Sequence, residues 1–592
     1  MSSSPFLTVT RVVLASLVTL ILLPYAWGRT LIIWMLAGRP EPVFAAALVI
    51  AVIVVLGLSF GVGESRTFSG RRWWVVGTVA TTWVAANAVL VVLSAASLVP
   101  RSLIAAVYVP ATLPVLWVAW MFFCRWQWTK RLSVLVALLP LLGLFLGLAD
   151  VRGMSGDAHI EFAWRSWRKD AAGAGRTRRV SASLRAVLPA HALQPNSDRD
   201  YPQFLGPDRN AVLPGSRLAR DWKTRPPREL WRGTVGPGWG AFAVVGDYAF
   251  TQEQLGDEEC IVCYGVRTGQ KLWVHADPVH FESSLGGPGP RATPTVHQGR
   301  VYSVGATGLL NCLDGYTGDR VWWVDILKDN NAQNIAHGVC GSPLVLDDFV
   351  IVSPTGEGGP SLVAYHRDTS ERVWQGGRDR ASYGSPFVTE LGGVRQLLLN
   401  NSEGVAAHDP ATGDVLWRFP WTNPVKTNAS QPIANVGAPD HVFVSTGYDK
   451  GCALIQVDHS ADGSWTVKTI WSNNRLKTKF TTAVVHGEHV YGLDDGILAC
   501  RDLATGKRGW KAGRYGHGQI LLAGDLLLVL AENGDVVLVE PDTRELRELG
   551  RFHTIDGKTW NNPSLAGPYL LVRNDHEAAC YELPLAADAA EQ

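Results

Sequence analysis

Apolar and polar positions follow two different rules along this chain. Up to about residue 150 the apolar residues run almost unbroken, in stretches at 8–27, 41–63, 72–97, 102–126 and 130–150. Each stretch is roughly 20 residues or longer, enough to cross a ~30 Å hydrocarbon layer as a helix. Five spans are predicted. The apolar stretch Thr30–Gly38 blurs the first boundary and leaves four to six open. Beyond residue 200 the period falls to two. Short alternating runs such as Thr295-Val-His-Gln-Gly-Arg-Val-Tyr-Ser303 are punctuated by Gly and Asp, the pattern of short antiparallel strands.

The strands belong to an internal repeat. Cys312-Leu-Asp-Gly-Tyr-Thr-Gly-Asp-Arg-Val-Trp322 has close copies at Cys263–Trp273, Ala407–Trp417 and Cys500–Trp510. Ala364–Trp374 is a weaker copy, Val457–Trp471 carries an inserted turn, and Leu538–Leu549 keeps the turn but loses the Trp. In each copy a strand ends at an Asp-x-x-Thr-Gly turn, where Gly supplies positive φ and Asp caps backbone donors, and a second strand ends in Trp. With the hairpin upstream, each unit makes four strands, the pattern of a propeller blade. Seven units run from Trp239 to Phe552. An eighth begins near Trp560, continues through Tyr569–Arg573 and Ala578–Glu582, and lacks an outer strand, for which Arg228–Trp231 is the spare. The expected fold is an all-β eight-bladed β-propeller preceded by an α-helical transmembrane bundle. The bundle takes 1–150, an Arg-rich linker 151–200 with a short helix near Ser183–Val187, and the propeller 201–592.

Charge gives the orientation. Arg66, Arg71 and Arg72 share one inter-span loop, and Arg125, Lys130 and Arg131 share another on the same side, against Arg29, Arg39 and Arg101 opposite. The richer side faces the cytoplasm by the positive-inside rule, so an odd span count exports the propeller; Arg152, Arg165, Arg168 and Lys169 pull the other way. The expected location is the cytoplasmic (inner) membrane, multi-pass, with the propeller on the periplasmic or extracytoplasmic side. The first span has no basic start and is followed by others, unlike a cleaved signal peptide. No Asp, Glu or Lys lies mid-span in the first four helices, so the bundle reads as an anchor rather than a transporter. Lys plus Arg (54) balances Asp plus Glu (53), which excludes the basic field of a nucleic-acid binder.

Trp231, Trp273, Trp322, Trp374, Trp417, Trp471 and Trp510 occupy equivalent positions and are expected to dock blades, as structural wedges. Cys260 and Cys263 form a C-x-x-C, but residues three apart on a strand point to opposite faces. Cys263, Cys312, Cys500 and Cys580 share a repeat position with Ala364, Ala407, Val457 and Leu538, so a small apolar role is expected and no metal site. The candidate ligand surface is the mouth of the central channel, at the start of each innermost strand: Trp239, Arg291, Cys340, Tyr383, Asn428, Lys479, His517 and Trp560, with His337 and Asn561 beside them. That ring offers aromatics, amides and cations and no carboxylate. It suits an anionic, planar or peptide ligand.

The turn A/C-x-D-x-x-T-G-x-x-x-W resembles the tryptophan-docking repeat of PQQ-dependent dehydrogenases and of BamB-like assembly lipoproteins. Tyr201-Pro-Gln-Phe-Leu-Gly-Pro-Asp-Arg209 is similar to the W-P-Q-x-x-G-P-x-R opening of bacterial BamB-like, quinoprotein-like propellers. The resemblance covers roughly residues 200–585 and implies two functions. One is a non-catalytic scaffold for an envelope protein or small ligand, with no catalytic residue and no cofactor. The other is a membrane dehydrogenase oxidising an alcohol or sugar with PQQ and calcium, for which the resemblance implies a catalytic Asp and, in many members, an adjacent Cys-Cys pair. This chain has no adjacent Cys pair and, unlike the lipoproteins, no lipobox Cys near its start. The scaffold is the favoured expectation.

Overall fold

A computed structural model describes the strands Ala149–Met154 and Ile160–Trp164 and residues 186–586, apart from 195, 197–198, 284–285 and 355–358. The chain divides into two compact units, Met1–Gln127 and Trp128–Gln592. The expected transmembrane spans lie outside the described residues, except that the last reaches into a strand. Ala149–Met154 pairs antiparallel with Ile160–Trp164, with a bulge between Val151 and Gly153. The end of the expected bundle and the start of the expected linker therefore form a β-hairpin. Among the described residues no helix is long and apolar enough to cross a membrane. Residues 186–189 are irregular, so the part of the expected linker helix that can be seen is not helical.

Eight antiparallel sheets follow, each a meander from an innermost to an outermost strand. Blades 1 to 4 begin at Ala243–Val245, Thr295–His297, Leu344–Leu346 and Phe387–Leu391, and blades 5 to 7 at Ile433–Ala434, Val484–His486 and Gln519–Ala523. Blade 8 takes Ser564–Ala566, Tyr569–Arg573 and Glu577–Glu582 from the C-terminal side. Its outer strand is Arg228–Thr234, which pairs antiparallel with Glu577–Glu582. The ring closes with strands from both ends of the domain, leaving no free edge between first and last blade.

The register explains the repeat. Cys263, Cys312, Ala364, Ala407, Cys500 and Cys580 lie directly opposite Trp273, Trp322, Trp374, Trp417, Trp510 and Trp231. A small side chain there makes room for the indole. In blade 5 the residue opposite Trp471 is Leu454, not Val457, because the inserted turn lengthens the hairpin. The indole N–H groups of Trp231, Trp273, Trp322, Trp374, Trp471 and Trp510 donate to Val266, Gly315, Arg367, Pro410, Leu503 and Asp542, in or beside the turn of the following blade, at 2.6–3.1 Å. Trp417 differs: its N–H donates to Gln396 Oε1 in its own blade, at 2.6 Å.

Blade 7 has Gly550 where the others have Trp, opposite Leu538. Trp222, from the segment ahead of the closing strand, packs onto that glycine and meets Phe552 edge-on at 5.5 Å. The missing wedge is supplied from elsewhere in the chain. The seven cysteines among the described residues are free thiols. Cys260 and Cys263 are buried in separate apolar clusters on the two faces of one strand, and burial pushes the Cys260 thiol up to about 12.

The segment Tyr201–Leu213 seals one end of the channel. Tyr201 bridges to Val244 in the innermost strand of blade 1, the Val296 N–H of blade 2 donates to Pro202, and Val212–Leu213 runs parallel to Leu522–Ala523 of blade 7. Arg209 reaches blade 3 and donates to the carbonyls of Ser342 (2.9 Å) and Pro343 (3.0 Å). It is fully enclosed, and burial lowers its pKa to about 9. Upstream, the backbone of Ala186 and Leu188 hydrogen-bonds to Leu272 of blade 1 and Tyr316 of blade 2, so order begins earlier than the expected domain boundary at 201.

Candidate binding site at the channel mouth

In a meander repeated around an axis every innermost strand runs the same way, so the segments leading into those strands gather at one end of the channel. The plug pairs with Val244, midway along the innermost strand of blade 1, and with Leu522–Ala523 at the end of that of blade 7, while its Arg209 side chain reaches up to the approach to blade 3. The mouth is the opposite end.

The structure brings Trp239, Trp560 and His517 together through Phe480, one residue beyond the expected Lys479. Ring centroids are 5.1 Å apart for Trp239 and Trp560, 4.8 Å for Phe480 and Trp560, and 5.6 Å for Phe480 and His517. These four rings come from the approaches to blades 1, 8, 6 and 7. Trp239, Trp560 and Phe480 are half-buried and His517 is buried. Lys558 sets its ammonium 4.4 Å from the Trp560 ring centre and 5.4 Å from that of Trp239. Lys479 lies 3.3 Å from His517 Nε2 and 5.7 Å from the Tyr448 ring centre.

His337 and Tyr383 form a second pair, 5.5 Å apart. Burial, and then the neighbouring Arg291, hold the His337 pKa below the usual histidine value, while burial raises that of Tyr383. Cys340 is half-buried, and burial pushes its thiol up to about 12.

Three expected site residues are engaged in architecture. Arg291 holds the short hairpin of Glu282–Ser283 and Gly287–Pro288: it donates to Gly287 O (2.6 Å), Gly286 O (3.0 Å), Ser283 Oγ (3.1 Å) and His337 O (3.2 Å), and stacks 5.3 Å from the Phe281 ring centre. Asn428 is fully enclosed. Its amide donates to Asn401 O (2.7 Å) and Trp421 O (3.1 Å), and its oxygen accepts from Asn423 and Thr446. Asn561 is enclosed as well, donating to Gly238 O and Gly240 O and so tying blade 8 to blade 1.

The mouth also holds a carboxylate, contrary to the sequence-based expectation. Glu532, from the turn between the second and third strands of blade 7, accepts from Trp560 Nε1 at 2.8 Å and from the His517 backbone N–H at 3.0 Å. Sequence reasoning considered only the start of each innermost strand and missed the turns that border the same opening. Glu532 was lost that way, Phe480 because the approach to blade 6 was read one residue early, and Lys558 because it lies two residues ahead of Trp560. Phe480 was legible: aligning the Gly487-Glu488 and Gly524-Asp525 hairpins places it opposite His517.

A family model described as "Outer membrane protein assembly factor BamB" matches residues 257–512. That match covers less than half of the chain and, with the eight-bladed fold, supports a PQQ-like β-propeller. No curated protein matches the sequence. Solved structures similar to this PQQ-like propeller include a europium-containing methanol dehydrogenase (13% identity, 65% of this chain and 98% of that one, TM-score 0.49). Others are BamB from Moraxella catarrhalis (16% identity, 60% and 98%, TM-score 0.43) and quinohemoprotein alcohol dehydrogenase from Comamonas testosteroni (14% identity, 71% and 85%, TM-score 0.48).

PQQ bound through calcium would place a demand on the donor set at the mouth. Ca²⁺ takes six to eight oxygens, commonly including carboxylates. Among the described residues no three His, Cys, Asp or Glu side chains converge as metal ligands. The carboxylate of Glu532 already has both oxygens hydrogen-bonded, and the guanidinium of Arg291 is engaged by its hairpin. These residues do not fit a PQQ–calcium centre.

Proposed function

We propose that this chain is a membrane-anchored, extracytoplasmic propeller that binds an envelope protein, or another envelope component with a planar group, at its aromatic mouth and does not transform it. One observation carries this reading: four rings from four adjacent blades form a continuous, partly exposed aromatic wall along one side of the mouth. Aromatic surface held rigidly at a concave end is the composition of a recognition site. The family's description as an assembly factor supports a protein partner. The expected preference for an anion is weakened, since Arg291 is bonded to carbonyls. The membrane anchor rests on the apolar pattern of residues 1–150.

A photo-cross-linking residue at Phe480 in the full chain, in cells, is expected to give one discrete adduct. The same residue at Val373, exposed on the outer rim, is expected to give none. Adducts from both positions, or from neither, count against a mouth-specific partner. Submicromolar PQQ affinity together with Ca²⁺-dependent dye reduction by an alcohol or sugar would replace the scaffold reading with the dehydrogenase.

A further inference from the structure

We infer that the mouth is a cage for an alkylammonium group, and that Lys558 is its resident occupant. The inference rests on the mouth being the binding site and names the chemistry of what binds there.

An indole presents negative charge on its faces and hydrogen-bond donation at its edge. At this mouth the edges are already engaged. Trp239 Nε1 donates to Gly286 O at 2.5 Å and Trp560 Nε1 to Glu532 Oε1 at 2.8 Å. Those bonds fix both ring planes, 38° apart with centroids 5.1 Å apart. What remains available is the pair of faces, which attract cations and repel anions. The ammonium of Lys558 lies over both, and the Phe480 ring backs Trp560 at 4.8 Å. The carboxylate of Glu532 adds negative charge at the edge of Trp560. The pattern recurs nearby, where Lys450 sits 4.2 Å over Trp421 and Lys479 5.7 Å over Tyr448. Lysine ammonium groups thus recur on aromatic faces at this end of the channel.

Lys558 carries its charge on a flexible stem, in the loop between the outer strand of blade 7 and the first strand of blade 8. Both indoles are half-buried, so an incoming ammonium can reach the faces once that side chain swings aside. A lysine side chain of a partner protein and the trimethylammonium of a choline headgroup share the required chemistry.

The test is calorimetric titration of the full chain at fixed ionic strength with tetramethylammonium, N-acetyl-lysine methylamide, choline and, as the anionic counterpart, benzoate. Tetramethylammonium is expected to bind, and Lys558→Ala to bind it about tenfold more tightly, because the internal competitor is gone. Trp560→Leu is expected to lose about tenfold relative to Lys558→Ala when combined with it, with an unchanged far-UV spectrum confirming the fold. A lysine amide that outcompetes choline points to a protein source, and the reverse to a lipid headgroup. Unchanged tetramethylammonium affinity in Lys558→Ala, or tighter binding of benzoate than of tetramethylammonium, overturns the cage. Benzoate binding that is abolished by Trp560→Leu would leave the mouth as a binding site and remove only its assignment to cations.

Discussion

At Gly318 the backbone turns with φ +76°, and a β-carbon there would stand 2.6 Å from the ring of Trp273 in the preceding blade. The Thr-Gly step of the repeat therefore serves two ends, reversing the strand and giving the indole a flat surface on which to lie. Gly463, in the inserted turn ahead of Trp471, also has positive φ (+84°) but nothing within 4 Å of its would-be β-carbon. Gly318→Ala is thus expected to lower stability clearly more than Gly463→Ala in urea denaturation, since both carry the backbone strain and only the first forces the wedge out. Trp273, fully buried, should cost about 3–5 kcal/mol on truncation to Ala. A variant of unchanged stability would remove its docking role. Glu259 gives a pH test at the same scale. It accepts from Ala306 N–H (3.1 Å) and Thr307 Oγ1 (3.2 Å) across the blade 1–blade 2 joint, and burial raises its pKa to about 7. The folded state holds the proton more tightly than the unfolded chain, so this stabilisation is complete at pH values below the unfolded carboxylate's pKa and is lost as pH rises through about 7. Melting temperatures from pH 4 to 8 should fall less steeply for Glu259→Gln than for the parent; parallel curves would show that Glu259 does not titrate there.

Elements that repeat were legible, and elements that break the repeat were not. The Asp-x-x-Thr-Gly turns and the Trp at fixed offset located the blades, and an orphan strand beside an incomplete blade located the closure. Three other features follow no period. The inserted turn in blade 5 shifted the register, so Leu454 rather than Val457 faces Trp471. Asn428 and Lys479 fell one place from the mouth because the approaches to blades 5 and 6, Ala429-Ser430-Gln431-Pro432 and Phe480-Thr481-Thr482-Ala483, lack the Gly-Ser-Pro that anchors blades 3 and 4. The plug and Trp222 come from the stretch before the first blade, where no copy exists to compare with. Trp222 makes a testable case. It occupies the space over Gly550 that a strand-borne indole fills in the other blades, while the Ala219 N–H beside it donates to Pro584, just past the third strand of blade 8. Trp222→Ala is expected to cost about 3–5 kcal/mol. Adding Gly550→Trp should recover part of that loss by restoring the usual geometry. If the double variant is no more stable than the single, Trp222 is not the surrogate wedge.

For the whole molecule, the order in which the chain is laid down matters. The polypeptide first lies against blades 1 and 2 at residues 186–188. It next seals one end of the channel at 201–213, packs Trp222 on blade 7, and supplies the outer strand of blade 8 at Arg228–Thr234. Only then does blade 1 begin. The contacts with blade 7 wait for the strands up to His553, and the pairing of Arg228–Thr234 waits for the last strand, Glu577–Glu582, so ring closure is a late, long-range step. If the apolar stretches before residue 150 span a membrane, the whole propeller must close on one side of it, and the short-loop charges say which. Arg66, Arg71, Arg72, Arg125, Lys130 and Arg131 favour a cytoplasmic face for the two loops that contain them, and five spans then export everything after residue 150. The basic residues after the last span oppose this only weakly, because long domains translocate despite such charge. A phosphatase that needs the oxidising side, fused after Gln592, is therefore expected to be active, and a cytoplasm-only fluorescent reporter at the same place to be dark. Replacing the six loop cations by Gln should lower the phosphatase signal and raise the fluorescence. Fluorescence from the unaltered fusion, with no phosphatase activity, would place the propeller in the cytoplasm and leave the mouth facing a different set of partners.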